Sequence, residues 1–262
     1  MSIQKKVIIF IISFIGVGFL INFGFPKEKV MNKDAEIRIG AGDDLSGVLM
    51  KETVALLSET YEIKDSLESS SFQDCWSNLA QWALSAKEIN VAFYCQHIAL
   101  HTVEQNEHVE IYGPAIMNAE VISYKNEWEQ VKTVGISQGR EQEKRVAQET
   151  YPQLENFQDI TQKGILYTLE DGQVDAVIQD VTKAAKVPKY QNKPLSAYDH
   201  ISYVLVVEKE FAKTKAFEDF VISYNQAVEK LNQPEYLAEK LGVQVEWIRD
   251  KQIEFLPLEL RQ

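Results

Sequence analysis

The two cysteines, Cys75 and Cys95, have the most distinctive chemistry of any side chains in this sequence. Each stands at the start of a predicted helix: Cys75 in the first turn of a helix from about residue 73 to 86, and Cys95 immediately before a helix that begins near Gln96. The partial positive charge of a helix N-terminus favours the thiolate form, although the neighbouring Asp74 opposes this effect. Two thiolates that share one site can bind a soft metal ion or an organometal cation, because such ions prefer sulfur to oxygen.

Two other interpretations of the cysteines stay open at this point. In an oxidising compartment they could form a disulfide, which requires Cα atoms within about 7 Å and would remove both ligands. Cys75 could also be a buried, inert side chain beside Trp76.

Polar side chains occupy four loops at predicted strand ends and helix starts, and two of these loops carry the cysteines. The loop 40–47 (GAGDDLSG) offers carboxylate and hydroxyl acceptors, and the segment 137–141 (SQGRE) opens a helix with an arginine. Four aspartates in these loops create a negative field that suits a cation, and Arg140 is the main feature against that interpretation. Gln179 accompanies Asp180 after an apolar segment. The predicted ligand-binding residues are Cys75, Cys95, Asp43, Asp44, Ser46, Asp74, Gln96, Ser137, Arg140 and Asp180, and the predicted metal ligands are Cys75 and Cys95.

Common catalytic motifs are missing from the sequence. His97 and His101 have the i, i+4 spacing of two metal ligands, but Ile98 stands where a zinc peptidase motif needs glutamate. Leu45 replaces the last glycine of a dinucleotide fingerprint, and no hydrolase nucleophile motif occurs. We therefore predict no catalytic residues, no cofactor and no enzymatic activity.

Alternating strands and helices must position these residues. Strands predicted at 36–40, 61–66, 89–94 and 108–112 are separated by single helices, so they cannot be joined as hairpins. The same alternation returns between residues 133 and 178. The pattern predicts an α/β fold with two lobes, each a mainly parallel sheet flanked by helices, with ligands at the carboxyl ends of the strands.

The predicted domain boundaries follow from two extended segments. Residues 116–124 follow the Gly113–Pro114 break, and residues 201–207 form a β-branched apolar run. We expect these to be a two-strand hinge, with crossings near 115–125 and 201–208. The predicted organisation is a signal or anchor segment and tether at 1–33, lobe 1 at 34–115 and 209–262, and lobe 2 at 116–208.

The N-terminal segment has the features of an export leader. Lys5 and Lys6 precede an apolar run from Val7 to Phe25. No small-x-small cleavage site follows, so an uncleaved membrane anchor is slightly favoured over a secreted form. We expect an extracytoplasmic protein at the cell surface or in the periplasm.

Composition excludes some partners. The formal net charge of −12, without a basic stripe, disfavours nucleic-acid binding because phosphate backbones are repelled.

The leader, the opening strand with its glycine-bearing loop, and the extended crossover together resemble the type 2 periplasmic-binding fold of ABC transporter substrate-binding proteins. The segment GQVDAVIQD, residues 172–180, is similar to a late strand of that family that precedes a ligand-facing loop. More narrowly, FQDCWSN at 72–78 and VAFYC at 91–95 resemble a substrate-binding (seleno)protein group usually called SaoB. That resemblance implies chalcogen chemistry at a cysteine position.

The resemblance implies an extracytoplasmic solute-binding component of an ABC importer, whose lobes close on a small solute or an organometal species. Its partners would be an ABC permease and ATPase, with the membrane contacted through the N-terminal segment. One alternative is an oxyanion or organosulfur (sulfonate-, nitrate- or thiamin-precursor-like) binding protein with a structural disulfide. The others are an enzyme on the same fold and a sensor that docks to a signalling protein.

Overall fold

The computed structural model describes residues 36–40, 42–58, 61, 63–65, 83–84 and 86–261. The predicted leader, Asp74, Cys75 and most of the predicted helix at 73–86 lie outside the described residues. Within the described ranges, no helix has both the length and the apolar character needed to cross a membrane.

The described elements alternate along most of the chain. The strands are β1 (Ile37–Gly40), β2 (Ile63–Asp65), β3 (Val91–Cys95), β4 (Val109–Met117), β5 (Glu120–Tyr124), β6 (Thr133–Ser137), β7 (Asn156–Ile160), β8 (Ala176–Asp180), β9 (Gln191–Pro194), β10 (Ile201–Glu208) and β11 (Glu254–Phe255). The α-helices are α1 (Leu45–Leu57), α2 (Gln96–Gln105), α3 (Glu141–Thr150), α4 (Ile165–Glu170), α5 (Val181–Ala185), α6 (Lys215–Leu231), α7 (Pro234–Leu241) and α8 (Val245–Arg249). Short 3₁₀ turns lie at Trp128–Gln130, Gln162–Gly164 and Phe211–Lys213.

The strands form two mixed sheets. The first has the order β11-β4-β10-β3-β1-β2 and the second β7-β6-β8-β5-β9. In the first sheet β1 pairs in parallel with β2 and β3, and β10 lies antiparallel between β3 and β4. In the second, β6 pairs in parallel with β7 and β8, and β5 is antiparallel to β8. The predicted fold class, two sheets with flanking helices, is confirmed.

Helices cover the sheets through apolar faces. Helices α1 and α6 contact each other, and their buried side chains join Ile37, Phe93 and Leu205 in the largest cluster of the core. Helix α2 packs with a second cluster that includes Tyr94 and Val204. Because alternate residues of a strand point to opposite faces, β3 and β10 are buried on both sides and occupy the centre of the sheet.

Strand β4 differs from the prediction at Gly113 and Pro114. We expected these residues to end the strand, but β4 continues through both to Met117. Proline has no N–H to donate to a sheet, and the pairing of β4 with β10 is irregular here, with register shifts on both sides of the Val204–Pro114 pair. The irregular register accommodates the proline within a sheet strand.

Other element boundaries also need correction. Helix α1 is capped by Asp44, not by Ser46 as predicted, because the Asp44 side chain accepts hydrogen bonds from the backbone N–H groups of Ser46 and Gly47. The predicted helix at 161–170 is a 3₁₀ turn followed by α4. Strand β7 was not predicted, since its residues are exposed or only partly buried and no apolar alternation marks it.

The chain passes between the sheets twice. The first passage is a tight turn at Asn118 and Ala119, between β4 and β5, and Asn118 has a positive φ of 59°. The return passage occupies residues 195–200, between β9 and β10, so β10 itself is a full member of the first sheet. The two passages are hydrogen-bonded: Asn118 N donates to His200 O at 3.2 Å, and His200 N donates to Asn118 Oδ1 at 3.1 Å.

Candidate functional site

A cavity of about 190 Å³ lies between the two sheets. The first sheet contributes the loop after β1 and Tyr203 of β10. The second contributes the start of β5, the ends of β6 and β8 with the helices α3 and α5 that follow them, and the turn and helix α4 that follow β7. This is the carboxyl edge of the parallel strands, where α/β sheets bind ligands. The described lining consists of Asp43, Asp44, Glu120, Ile136, Ser137, Arg140, Glu143, Gln162, Lys163, Ile165, Leu166, Ile178, Gln179, Asp180, Lys183 and Tyr203.

Two buried aspartates line the cavity, and each caps a helix. Asp44 Oδ1 accepts from Ser46 N at 3.0 Å at the start of α1, and Asp180 Oδ1 accepts from Thr182 N at 2.8 Å at the start of α5. Asp180 Oδ2 also accepts from Leu45 N at 3.3 Å and from the Tyr203 hydroxyl at 3.0 Å. Asp180 therefore links a strand of the second sheet to a helix and a strand of the first.

Burial shifts the protonation of this pair. Burial raises the pKa of Asp44, and the hydrogen bonds from Ser46 and Gly47 offset only part of that effect. Burial, followed by the negative charge of Asp44, raises the pKa of Asp180 to about 7. The two carboxyl groups therefore retain a proton between them close to neutral pH.

Glu120 connects the cavity to the passages between the sheets. Its Oε2 accepts from the Ser202 hydroxyl and lies 3.0 Å from His200 Nε2. Burial alone would raise the pKa of Glu120, but its hydrogen bond to His200 and the nearby positive charges lower it. Burial would likewise lower the pKa of His200, but Glu120 outweighs burial and raises it. The geometry favours a buried glutamate–histidine ion pair.

Arg140 lies among carboxylates on the second side of the cavity. Its Nη1 is 2.6 Å from Glu143 Oε1 and 4.0 Å from Glu120 Oε1. The guanidinium is largely buried, and both partners have less than a tenth of their side chains exposed. The positive charge of Arg140 is thus compensated inside the protein before any solute binds.

Three oxygen atoms of the described lining have no hydrogen-bond donor among the described residues. They are Glu120 Oε1, Glu143 Oε2 and Gln179 Oε1, which belong to residues that are 4%, 6% and 7% exposed. Buried acceptors in native proteins are nearly always satisfied, so three orphans in one cavity require an explanation.

Two further contacts join elements of the two sheets at the cavity rim. Lys183 of α5 forms an ion pair with Asp43 of the loop after β1. Gln142 of α3 donates to Gln96 of α2 at 2.9 Å. These contacts hold the two sides of the cavity together.

The structure brings together half of the residues predicted as ligand-binding. Ser46 is buried behind Asp44 and donates its hydroxyl to Asp44 Oδ1 at 2.6 Å, while Gln96 contacts α3 outside the lining. Asp74 and Cys75 lie outside the described residues. The predicted residues that line the cavity are Asp43, Asp44, Ser137, Arg140 and Asp180.

Cys95 is one strand away from the cavity wall. It ends β3, is 1% exposed, and packs in the apolar cluster of α2. Its register partner in β10 is Tyr203, whose ring belongs to the lining. Among the described side chains, no three of His, Cys, Asp and Glu are grouped as a metal site. The predicted cysteine pair stays a prediction, because only one of its members is described.

Sequence analysis missed several lining residues. Glu120 and Glu143 are charged side chains that are buried by tertiary contacts. Tyr203 and Lys183 belong to segments that the sequence analysis did not assign to a binding site. The only trace in the sequence is an acidic residue at the start of the apolar segment EVISY, residues 120–124.

Comparison with known proteins finds relatives by structure and none by sequence. No family model matches the chain, and no curated protein matches it in sequence. A ligand-binding component of an ABC-type import system from Staphylococcus aureus, solved with zinc bound, is 15% identical with a TM-score of 0.66, over 87% of each chain. The alkanesulfonate-binding protein SsuA from Xanthomonas axonopodis pv. citri, bound to MOPS, is 13% identical with a TM-score of 0.59, over 86% of this chain and 87% of that one.

A third similar structure is a putative methionine-binding lipoprotein from Bacillus subtilis, which is 14% identical with a TM-score of 0.60, over 85% of this chain and 98% of that one. The three proteins carry ligands or names of different chemistry, so the likeness does not indicate a solute. The chain has the two-sheet α/β fold of ABC importer solute-binding proteins.

Proposed function

We propose that this chain is the extracytoplasmic solute-binding component of an ABC importer. The observation that carries the proposal is the cavity between the sheets, whose walls come from both sides and whose rim contacts, Lys183–Asp43 and Gln142–Gln96, join them. Such a cavity encloses a small solute when the two sides meet. The structural likeness to importer binding proteins supports the same function.

The chain passages fit a hinge between two lobes. In the part of the chain that the structure describes, only residues 118–119 and 195–200 connect the sheets, and they lie side by side through the Asn118–His200 bonds. Rotation about these segments would open and close the cavity without disturbing either sheet. In this proposal the lobe bounds predicted from the sequence, 34–115 with 209–262 and 116–208, shift: β10 and the end of β4 belong to lobe 1 with the first sheet, and residues 120–194 belong to lobe 2.

The partners follow from the function. The closed, loaded form would deliver its solute to an ABC permease driven by an ATPase, and the N-terminal apolar segment would anchor the protein at the outer face of the cell membrane. The narrower SaoB resemblance belongs to the same proposal, as a subgroup of such binding proteins.

The test is binding without turnover. The full-length protein, purified in detergent and equilibrated with an extract of small solutes, is expected to retain a solute in native mass spectrometry and to release it chemically unchanged. Ser137→Trp would fill the cavity and abolish retention, whereas Ser58→Trp, on the exposed end of α1, would not. Release of a converted product would indicate an enzyme on this fold. Retention that survives Ser137→Trp would contradict the proposed site.

The soft-metal version of the proposal depends on both cysteines. Cys95 lies beside Tyr203, close to the cavity wall, so a partner thiol from Cys75 could complete a site there. Thiol titration separates the possibilities: two thiols lost on adding one equivalent of a mercurial support soft-ligand capture. The absence of titratable thiol in the unfolded, unreduced protein would instead support a disulfide and an oxyanion or organosulfur solute.

A further inference from the structure

The chemistry of the cavity wall points to a particular class of solute, on the premise that the cavity is the binding site proposed above. Four aliphatic side chains, Ile136, Ile165, Leu166 and Ile178, form one part of the lining. Most of the other lining residues have charged or hydrogen-bonding side chains. A solute that fits must have a short aliphatic body and a polar group.

Three buried acceptors of the lining are available to that polar group. Glu120 Oε1, Glu143 Oε2 and Gln179 Oε1 line the cavity and accept no hydrogen bond from a described residue. An alkylammonium group has three N–H donors and no acceptor, so it matches these three oxygen atoms. A sulfonate or carboxylate would bring further acceptors to oxygen atoms that already lack donors.

The two glutamates are close enough to serve one group. Glu120 Oε1 and Glu143 Oε1 both lie within 4.0 Å of a single nitrogen, Arg140 Nη1. Each carboxylate uses one oxygen for a protein partner: Glu143 bonds Arg140, and Glu120 bonds Ser202 and His200. The other oxygen of each accepts no hydrogen bond from a described residue and can accept one from a ligand, although Glu120 Oε1 is also 4.0 Å from Arg140 Nη1.

The balance of charge also favours a cation. The described lining has five carboxyl groups, on Asp43, Asp44, Glu120, Glu143 and Asp180, against three basic groups, on Arg140, Lys163 and Lys183. A proton retained by Asp44 and Asp180 leaves one net negative charge, which one monocation would neutralise. An organic cation fits better than a metal ion, because the described acidic side chains do not form a metal-binding group.

We propose that the cavity binds a small aliphatic ammonium ion, whose N–H groups donate to Glu120, Glu143 and Gln179 and whose body packs on the isoleucines and Leu166. The ammonium group bonds Glu120, and the Glu120 side chain also bonds His200 and Ser202 at the passage between the sheets. The positive charge of the ligand therefore acts on a side chain that is bonded to the proposed hinge.

The test is calorimetry on the full-length protein in detergent at pH 7 with three matched probes. We expect n-butylammonium to bind, and n-butanol and butane-1-sulfonate not to bind. Binding of the sulfonate alone would overturn the ammonium assignment while leaving the solute-binding function intact. Failure of every probe, in a protein that still retains a solute from the extract, would also overturn it.

Variants on α3 provide the matched comparison. Glu143→Gln is expected to lower the affinity for n-butylammonium at least about tenfold, because it removes a charged acceptor from a buried site. Glu141→Gln, on the same helix but with its side chain 75% exposed, should leave the affinity unchanged. Glu143 makes no bond to the passages between the sheets, so its variant tests binding separately from the hinge. An unchanged affinity in Glu143→Gln would refute the proposal.

Discussion

At the residue scale, the environment of Asp180 has two opposite effects on its carboxyl group. Hydrogen bonds from Thr182, Leu45 and Tyr203 hold the side chain in position, whereas burial and the charge of Asp44 destabilise its ionised form. A carboxyl group whose folded pKa lies above its unfolded value binds more protons in the folded state. Its contribution to stability is present below the unfolded value, near 3.8, and is lost as the pH rises through about 7.

The stability of Asp180→Asn relative to the wild type should therefore increase with pH. Asparagine keeps the helix cap but cannot ionise, so the buried charge is removed. We expect the difference in unfolding temperature, variant minus wild type, to be more positive at pH 8 than at pH 5, measured by circular dichroism. Asp250→Asn, an exposed surface change, is the control. A difference independent of pH would show that Asp180 is ionised throughout this range.

At the element scale, the turn between β4 and β5 controls how the sheets are joined. Asn118 adopts a left-handed backbone conformation, and its amide donates to Asp199 Oδ1 and Gln252 O, both at 2.9 Å. Its side-chain oxygen accepts from His200 N. One residue thus ties the first passage to the return passage and to the C-terminal segment.

Asn118→Gly and Asn118→Ala separate the two roles of this residue. Both lose the side-chain hydrogen bonds, but only alanine must also adopt the strained positive φ. We expect the alanine variant to be less stable than the glycine variant by about 1 kcal/mol. Urea unfolding measures the difference. Equal stabilities would mean that the turn relaxes to another conformation when the amide is removed.

On the scale of the whole molecule, the closed arrangement depends on contacts between elements of the two sheets. The core is also continuous near the passages, where Val121, Val181 and Ala184 of the second sheet and its helix join the largest apolar cluster. In the proposed hinge motion, opening therefore occurs mainly where polar contacts join α2 to α3 and α5 to the loop after β1. Under that proposal, solute affinity depends on the fraction of the protein that is already closed.

Gln142→Ala should weaken binding although Gln142 is not part of the described lining. Loss of its hydrogen bond to Gln96 lowers the closed population, so the apparent dissociation constant should rise about twofold to tenfold. Small-angle scattering of the unliganded variant should give a larger radius of gyration than that of the wild type. Gln148→Ala, exposed on the same helix, is the control. Unchanged affinity and size would mean that this contact does not contribute to closure.

The sequence by itself determined the fold class and much of the element order. Helices α2 and α7 lie where the apolar periodicity placed them, because local pattern and end signals specify a helix before any tertiary contact forms. It also identified Asp43, Asp44, Ser137, Arg140 and Asp180 as residues near strand ends, since in an α/β sheet that position alone brings side chains to the binding edge.

Only the tertiary structure decided the chemistry of the cavity. Nothing local in the sequence distinguishes Glu120 or Glu143 from a surface glutamate, and their burial results from contacts with residues far along the chain, such as His200 and Ser202. The insertion of β10 between β3 and β4 is likewise a long-range pairing. Chain pattern specifies which residues lie at an edge, whereas burial, orphaned oxygens and shifted pKa values arise only when two edges are brought together.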